Sequence, residues 1–373
     1  MPKLEKINDS IYLFHKSANP NAEIVFFHDI YWAEYEEPHL QSWMSDSMPS
    51  VCWPEAWLPT KYPNASILST YYDSGIWKDK TRGHMDLYLL GENLRQDILS
   101  IYAENCPIFL IGHGLGGLVI KAVIERMDAK KNALSRHVSL NDGSTADRRD
   151  LLKLESFLDN VKGILYYNTP FLGSRLADST IYTPNRGLLL KALETLSRDA
   201  CRLNEWFREW RSDKKCKATA VFASLPTKVD LWYGHCYTHV VEEAAARYDV
   251  DQFYSNQKDH FSVCRPRDEQ DSGFQRLIEL INIGMPPITL YPAAPRTHDI
   301  NKSESNRVAI KLLDALKIHG QGLSIQFMRE DIEKISKFPE VLDYFHNSLE
   351  KTGLYKSSED VNFDYWEPKL DIE

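Results

Sequence analysis

The chain has 373 residues, 43% of them apolar and 26% charged, with a net charge of −9. That is the composition of a globular protein large enough for one big α/β domain with an appendage, or for two domains. The negative balance and the lack of a basic stripe argue against a nucleic-acid partner, no run approaches the roughly 18 apolar residues of a membrane span, and Met1-Pro2-Lys3-Leu4-Glu5-Lys6 does not read as a secretory leader.

In chain order, Ile11 to Phe14 reads as a short first strand and Glu23 to Phe27 as a more buried one ending in His28-Asp29-Ile30. Residues 31–63 read as a long aromatic loop, rich in Trp and Pro (Trp32, Trp43, Trp53, Pro54, Trp57), that caps the sheet edge or walls a pocket. Ala65 to Tyr72 is the next strand, closed by the turn signal Asp73-Ser74-Gly75. Leu89, Leu90, Leu94, Ile98 and Ile101 recur at helical spacing, and Pro107 ends that helix. Residues 128–160 are polar and read as an insertion where a lid can sit, or as a solvated loop. Val161 to Tyr167 is a strand, 186–211 a helical stretch and Ala218 to Phe222 a strand; Thr238 to Val241 is expected to be the last strand of the sheet. A helix follows from Gly273 to Ile283. Met285-Pro286-Pro287 to Pro295 reads as a boundary, dividing a domain at 1–295 from a helical extension at 296–373 with an acidic tail. Strands alternating with helices predict a mostly parallel sheet covered on both faces. The six cysteines have no metal-type spacing and read as reduced thiols of a cytoplasmic protein.

The stretch that organises the rest is Pro107 to Lys121. An apolar strand, Ile108 to Ile111, runs into Gly112-His113-Gly114-Leu115-Gly116, and an apolar helix from Leu118 to about Met127 follows. Strand, glycine-flanked turn and helix are the setting of a nucleophile elbow, Gly-x-Ser-x-Gly. Here Gly114 stands at the central position.

Gly112 to Lys121 resembles the Gly-His-Ser-Leu-Gly-Gly-Leu-Val-Ile-Lys of lipase-like α/β-hydrolases of the serine-active-site-containing (SERAC-type) and GPI-inositol-deacylase-like group. Three further stretches fit in order: Ile24 to Ile30, Asn168 to Ser174 (family Thr-Pro-His-x-Gly-Ser) and Asp259 to Pro266. The resemblance implies an α/β-hydrolase fold over residues 10–285 and a serine hydrolase machinery without metal or cofactor. It makes His260 the base and Leu115 a donor of the oxyanion hole. The other oxyanion position, a glycine in the family, is Asp29; the family's His is Phe171; and the family's Glu before Thr-Leu-Pro-Thr is Ala223. Glu242 or Glu243 is then the substitute acid.

Acyl transfer needs a nucleophile, a base and donors aimed at the oxyanion. Gly114 supplies no nucleophile, and a carboxylate at Asp29 opposes developing negative charge. Glycine does relieve the strained backbone of the elbow, a gain of about 1–3 kcal/mol. The expectation is a pseudoenzyme that binds a hydrophobic or ester-like molecule, or acts in signalling or immunity through a protein partner or self-association. The alternative is a serine lipase or esterase, active or silenced by replacing serine with Gly114. His28 and His113 read as turn-packing or pocket residues; a metal held by His28, Asp29 and His260 is the remaining alternative.

Overall fold

The computed structural model describes residues 4–31, 37–76, 84–139, 144–179, 185–231 and 234–285. Met1–Ile288 forms one compact unit. The predicted C-terminal helices and tail, at 296–373, lie outside the described residues. Trp32 does so too. No helix among the described residues is long and apolar enough to cross a membrane.

The strands are β1 (Glu5–Lys6), β2 (Ile11–His15), β3 (Ala22–Phe27), β4 (Ala65–Thr70), β5 (Ile108–His113), β6 (Val161–Tyr167), β7 (Lys217–Ala223), β8 (Thr227–Leu231), β9 (Gly234–Thr238) and β10 (Gln252–Asn256). Eight of them form one sheet in the order β1-β2-β4-β3-β5-β6-β7-β10. The run from β4 to β10 is parallel, and β1 and β2 join its edge antiparallel. This crossover order, with β5 at the centre, is that of an α/β-hydrolase. The expected last strand at Thr238 to Val241 is corrected: β9 leaves the sheet to pair with β8 as a separate hairpin, and β10 takes the edge beside β7.

The helices are α1 (Pro38–Gln41), α2 (Trp53–Ala56), α3 (Leu58–Lys61), α4 (Leu87–Ile101), α5 (Leu115–Ser139), α6 (Thr145–Asn160), α7 (Arg175–Asp178), α8 (Leu188–Ala192), α9 (Arg198–Ser212), α10 (Glu243–Ala246) and α11 (Ser272–Gly284). The pleat divides the core in two. Val25, Phe27, Ile108 and Leu110 face one cluster with α4, α5, α6 and α9. Ile24, Phe26, Phe109 and Ile111 face the other, with Trp43, Trp53 and α11. The aromatic stretch 37–61 is therefore core: Trp43 and Trp53 are fully buried, edge-on to Phe26 at 4.9 and 5.4 Å.

Residues 128–160 also differ from the expected polar loop. Helix α5 continues to Ser139, and α6 begins on a capping box in which Ser144 and Asp147 satisfy each other's backbone N–H. Leu154, Phe157 and Leu158 then seat α6 in the core. Charge on the outer faces of both helices hides this periodicity.

Helix α5 is buried on every side from Leu115 to Glu125, as a helix inserted between sheet and α4, α6 and α9 must be. Its approach is so close that a Cβ on Gly116 would fall 2.2 Å from the Phe27 carbonyl oxygen. Only glycine lets the elbow sit against the end of β3, and this contact fixes where the loop after β3 meets the N-terminus of α5.

Candidate functional site

The carboxyl ends of β3, β5 and β6 deliver three chain segments to one point. From β5 comes Gly114, with φ +51°, its N–H bonded to the Tyr167 carbonyl at 2.9 Å. From β3 comes His28-Asp29. Its backbone is held by the Asp29 carbonyl, which accepts from His28 Nδ1 at 2.7 Å and from Ser74 Oγ at 2.9 Å. From β6 comes Asn168, with φ +47°, a left-handed conformation that Asn tolerates better than most side chains. His260 arrives on a turn in which Asp259 Oδ1 accepts from the N–H groups of Phe261 and Ser262. Its own N–H donates to Thr227 Oγ1 at 2.9 Å.

The Asp29 side chain enters the space that an elbow nucleophile would occupy. A Cβ built on Gly114 falls 2.1 Å from Asp29 Cγ and Oδ1 and 2.4 Å from Oδ2. No side chain at residue 114 coexists with this carboxylate. Asp29 Oδ1 accepts from the Leu115 N–H at 2.6 Å, and Oδ2 lies 2.7 Å from His260 Nε2. The predicted oxyanion donor and the predicted base are both taken up by one internal anion, which also caps the N-terminus of α5.

The other face of His260 does not meet an acid. Its Nδ1 lies 2.8 Å from Asn168 Nδ2. The amide orientation follows from the backbone: the Ala223 N–H donates to Asn168 Oδ1 at 3.1 Å, so Nδ2 is the atom left to donate to the ring. Nδ1 is then the acceptor and Nε2 carries the proton, which it donates to Asp29. In a working triad the ring is held the other way round, with Nδ1–H on the acid and Nε2 free to take a proton. Here the carboxylate and the neutral partner have exchanged ends of the imidazole.

The surrounding histidines are neutral for stated reasons. Burial pulls His28 down to about 3 and His113 to about 4. His113 Nε2 donates to the His260 carbonyl at 2.8 Å, leaving Nδ1 a bare acceptor without a partner; His28 Nε2 is likewise unpartnered. Burial would raise the Asp29 carboxyl, but the hydrogen bonds it accepts from His260 and from the Leu115 N–H hold it below its ordinary value. Asp29, His113 and His260 each place one donor atom within 4.8 Å of the others. Because His260 Nε2 is protonated, the trio is not a ready metal site, and His28, named in sequence as the third ligand, is not one of the three.

Other expected residues lie elsewhere. Glu242, the substitute acid, is 53% exposed in its side chain and pairs with Arg175 at 2.8 Å. Glu243 is exposed beside Arg247. Phe171 does not line the cavity at the site; its ring covers the buried Lys121 ammonium at 3.9 Å, opposite Phe207 at 4.8 Å. The cavity at the site is about 40 Å³ and is bounded by Asp29, His260, Ser174 and apolar side chains, without His28 or His113. Asn168 was not singled out in the sequence. Its place one residue past a parallel strand is a possible acid position, but contact with His260 depends on a separation of 92 residues.

Residues 72–196 match the model of a family described as "Putative serine esterase (DUF676)". Protein SERAC1 of Homo sapiens is 24% identical over 298 residues, and that of Danio rerio 23% identical over 304; each match covers 74% of this chain and 42% of the relative. The chain thus spans well under half the length of these relatives. Among solved structures, the mature form of the Bacillus licheniformis lipase BlEst2 aligns with a TM-score of 0.41 and 12% identity, over 74% of this chain and 98% of that one. The type II thioesterase YbtT aligns with a TM-score of 0.39 and 13% identity, over 74% and 99%. The lipase-like, SERAC-type resemblance covers about three quarters of the chain.

Proposed function

We propose that this chain is an α/β-hydrolase-fold protein that has exchanged hydrolysis for binding at the carboxyl ends of its strands. The observation that carries this is the Asp29 carboxylate in the nucleophile's space. It replaces the attacking oxygen with an anion that cannot be turned over as serine is, takes the Leu115 N–H that would meet an oxyanion, and holds the one proton that His260 has on the reactive side. Each of the three requirements of acyl transfer is met by the wrong group. Losing the nucleophile and base of a serine protease removes about 10⁶ of its turnover, and what remains comes from the oxyanion hole, here occupied.

A silenced esterase, in which Gly114 alone departs from an active enzyme, fits less well. Restoring serine at 114 leaves no room for Asp29, so both positions have to change together. In both readings the fold is the same; they part on chemistry. The test is a fluorophosphonate probe together with short-chain p-nitrophenyl esters on the purified chain. The expected result is no labelled serine and no turnover above the Asp29→Asn and His260→Ala variants. Labelling of any one serine in stoichiometric yield, lost in His260→Ala, overturns the reading.

A further inference from the structure

The geometry points to a small alkylammonium ion, not an acyl ester or a carboxylate, as the ligand of this site. The inference rests on the non-hydrolytic reading above and goes further by naming the chemical class. We infer it from the balance of donors and acceptors around Asp29. The carboxylate is 6% exposed, and among the described residues no lysine or arginine lies within 4.0 Å of it. Its one charge-type partner, His260, turns Nδ1 to the Asn168 amide nitrogen and offers Asp29 a single N–H from Nε2. Two of its roughly four acceptor positions are used, by Leu115 N–H and His260 Nε2–H, and the rest have no protein donor.

A buried, net-negative, donor-poor site is the reverse of an oxyanion hole. Buried charges are found paired, and an unpaired one is costly. The cavity that Asp29 and His260 share has apolar walls from Ile30, Pro170, Leu176, Leu190, Leu193 and Val240, with Leu176 and Val240 only half-buried at its rim, and its one further polar side chain, Ser174, already donates its hydroxyl to the Val240 carbonyl. Its volume of about 40 Å³ holds about three water-sized bodies. A chain of three carbons ending in –NH₃⁺ matches this: three N–H donors and a charge for Asp29, and a short stem for the aliphatic wall. A carboxylate, phosphate or ester carbonyl brings only acceptors and meets a fixed negative charge.

The test is isothermal titration of the full chain with n-propylammonium, propionate and n-propanol at pH 7, repeated on Asp29→Asn and on Ala177→Leu, whose added side chain fills the cavity beside Asp29. Expected is saturable binding of propylammonium with a dissociation constant in the millimolar range, at least tenfold weaker for propionate and propanol, at least tenfold weaker in Asp29→Asn, and lost in Ala177→Leu. Equal or tighter binding of propionate, or unchanged binding of propylammonium in either folded variant, overturns the inference. So does stoichiometric zinc binding by the wild type that is abolished in His113→Ala while propylammonium fails to bind, which would make Asp29 a metal ligand. Serine labelling by fluorophosphonate is read separately: labelling sinks the non-hydrolytic reading, whereas absent labelling with absent propylammonium binding sinks only the ligand class.

Discussion

Two buried ionisable groups meet α5, Asp29 from the β3 loop at the Leu115 N–H and Lys121 about 9 Å further along the axis by the helical rise, and the chain treats them differently. Asp29 meets the N-terminus of the helix with a backbone N–H, an imidazole N–H and the field of α5, and its carboxyl is held below the ordinary value. Lys121 is fully buried as well, but its ammonium has one polar partner, Asn204 Oδ1 at 2.8 Å, and the rings of Phe171, Phe207 and Tyr166. Burial pulls it down to about 7. Equal burial thus gives opposite outcomes. Directed donors keep the anion ionised at the elbow, whereas π faces and a single acceptor leave the cation close to losing its proton. The ionised group is the one at the strand ends where ligands bind in open α/β sheets.

The largest effect is expected from moving the negative charge back across His260. In a Gly114→Ser/Asp29→Gly background the elbow has an oxygen and the Leu115 N–H is free, but Asn168 still holds the imidazole in the wrong tautomer. Adding Asn168→Asp, which the left-handed backbone there accepts, is expected to raise ester turnover by about 10⁴, the scale of the loss when a triad acid becomes its amide. Steady-state p-nitrophenyl ester kinetics on the double and triple variants measure this. Equal rates would mean that Asn168 does not set the ring.

Next in size is Gly114→Ser alone. The new side chain displaces the carboxylate from its donors and places an ordinary residue at φ +51°. The expected cost is about 3–5 kcal/mol, the range for breaking a buried pair, with no gain in turnover. In urea denaturation the Asp29→Gly partner change should recover much of that loss, a strongly non-additive pair. A single variant as stable as wild type would show that Asp29 does not fill this space.

Acid separates the two charges by their neighbours. His28, His39 and His113 are pulled down by burial to about 3, 4 and 4, so each is neutral in the folded chain and takes a proton only on unfolding. Their contribution is complete above the unfolded value near 6.5 and is lost as pH falls through it toward the folded values. Glu23 opposes them. Burial raises it to about 7, so it binds its proton first in the folded chain and favours folding as pH falls from 7 to about 4.5. Three protons taken up on unfolding against one released leaves about two, a loss of about 2.7 kcal/mol per pH unit between pH 6 and 5. Urea midpoints at pH 7, 6 and 5 test it. A flat profile would mean that burial does not hold these three imidazoles neutral.

How much of this the sequence disclosed depends on the range of each signal. The parallel sheet and the elbow are local patterns of apolar runs and glycine spacing, and the elbow was legible in Ile108 to Gly116, whereas the close approach of α5 to β3 at Gly116 was not read from sequence. Strand β10 was not: Gln252 to Asn256 is a polar edge strand with only Phe253 and Tyr254 to mark it, whereas Thr238 to Val241 pairs only through Thr238, and that in the β8–β9 hairpin outside the main sheet. At the site, Asp29 stood out as a residue out of place on an oxyanion loop. That its carboxylate crosses to Gly114 is set by a contact 86 residues distant along the chain, as the Leu115 hydrogen bond is, and no periodicity encodes it. Phe171 failed as a pocket residue for the same reason: what it faces is Lys121, on another element.

The smallest effect is expected at Lys121, and it decides whether the contrast between the two charges is real. Replacing Lys121 by Met keeps the volume, removes the desolvated amine and leaves Asn204 Oδ1 without its donor. The first change stabilises and the second costs a similar 1–3 kcal/mol, so the net at pH 7 should be about 1 kcal/mol in either direction. The slope with pH is more telling. With the folded value near 7 and the unfolded near 10.5, the unfolded chain holds the extra proton throughout that window. Wild-type stability therefore rises with pH relative to the variant, by at most about 1.4 kcal/mol per unit, and the two curves run parallel above 10.5. Other groups titrate in the same range, but they cancel in the difference between the two proteins. Urea denaturation of both at pH 7, 8 and 9 gives that difference directly. If it does not change with pH, the three rings hold the ammonium as firmly as the amides and imidazole hold Asp29, and π faces would be as good a partner for a buried charge as directed hydrogen bonds.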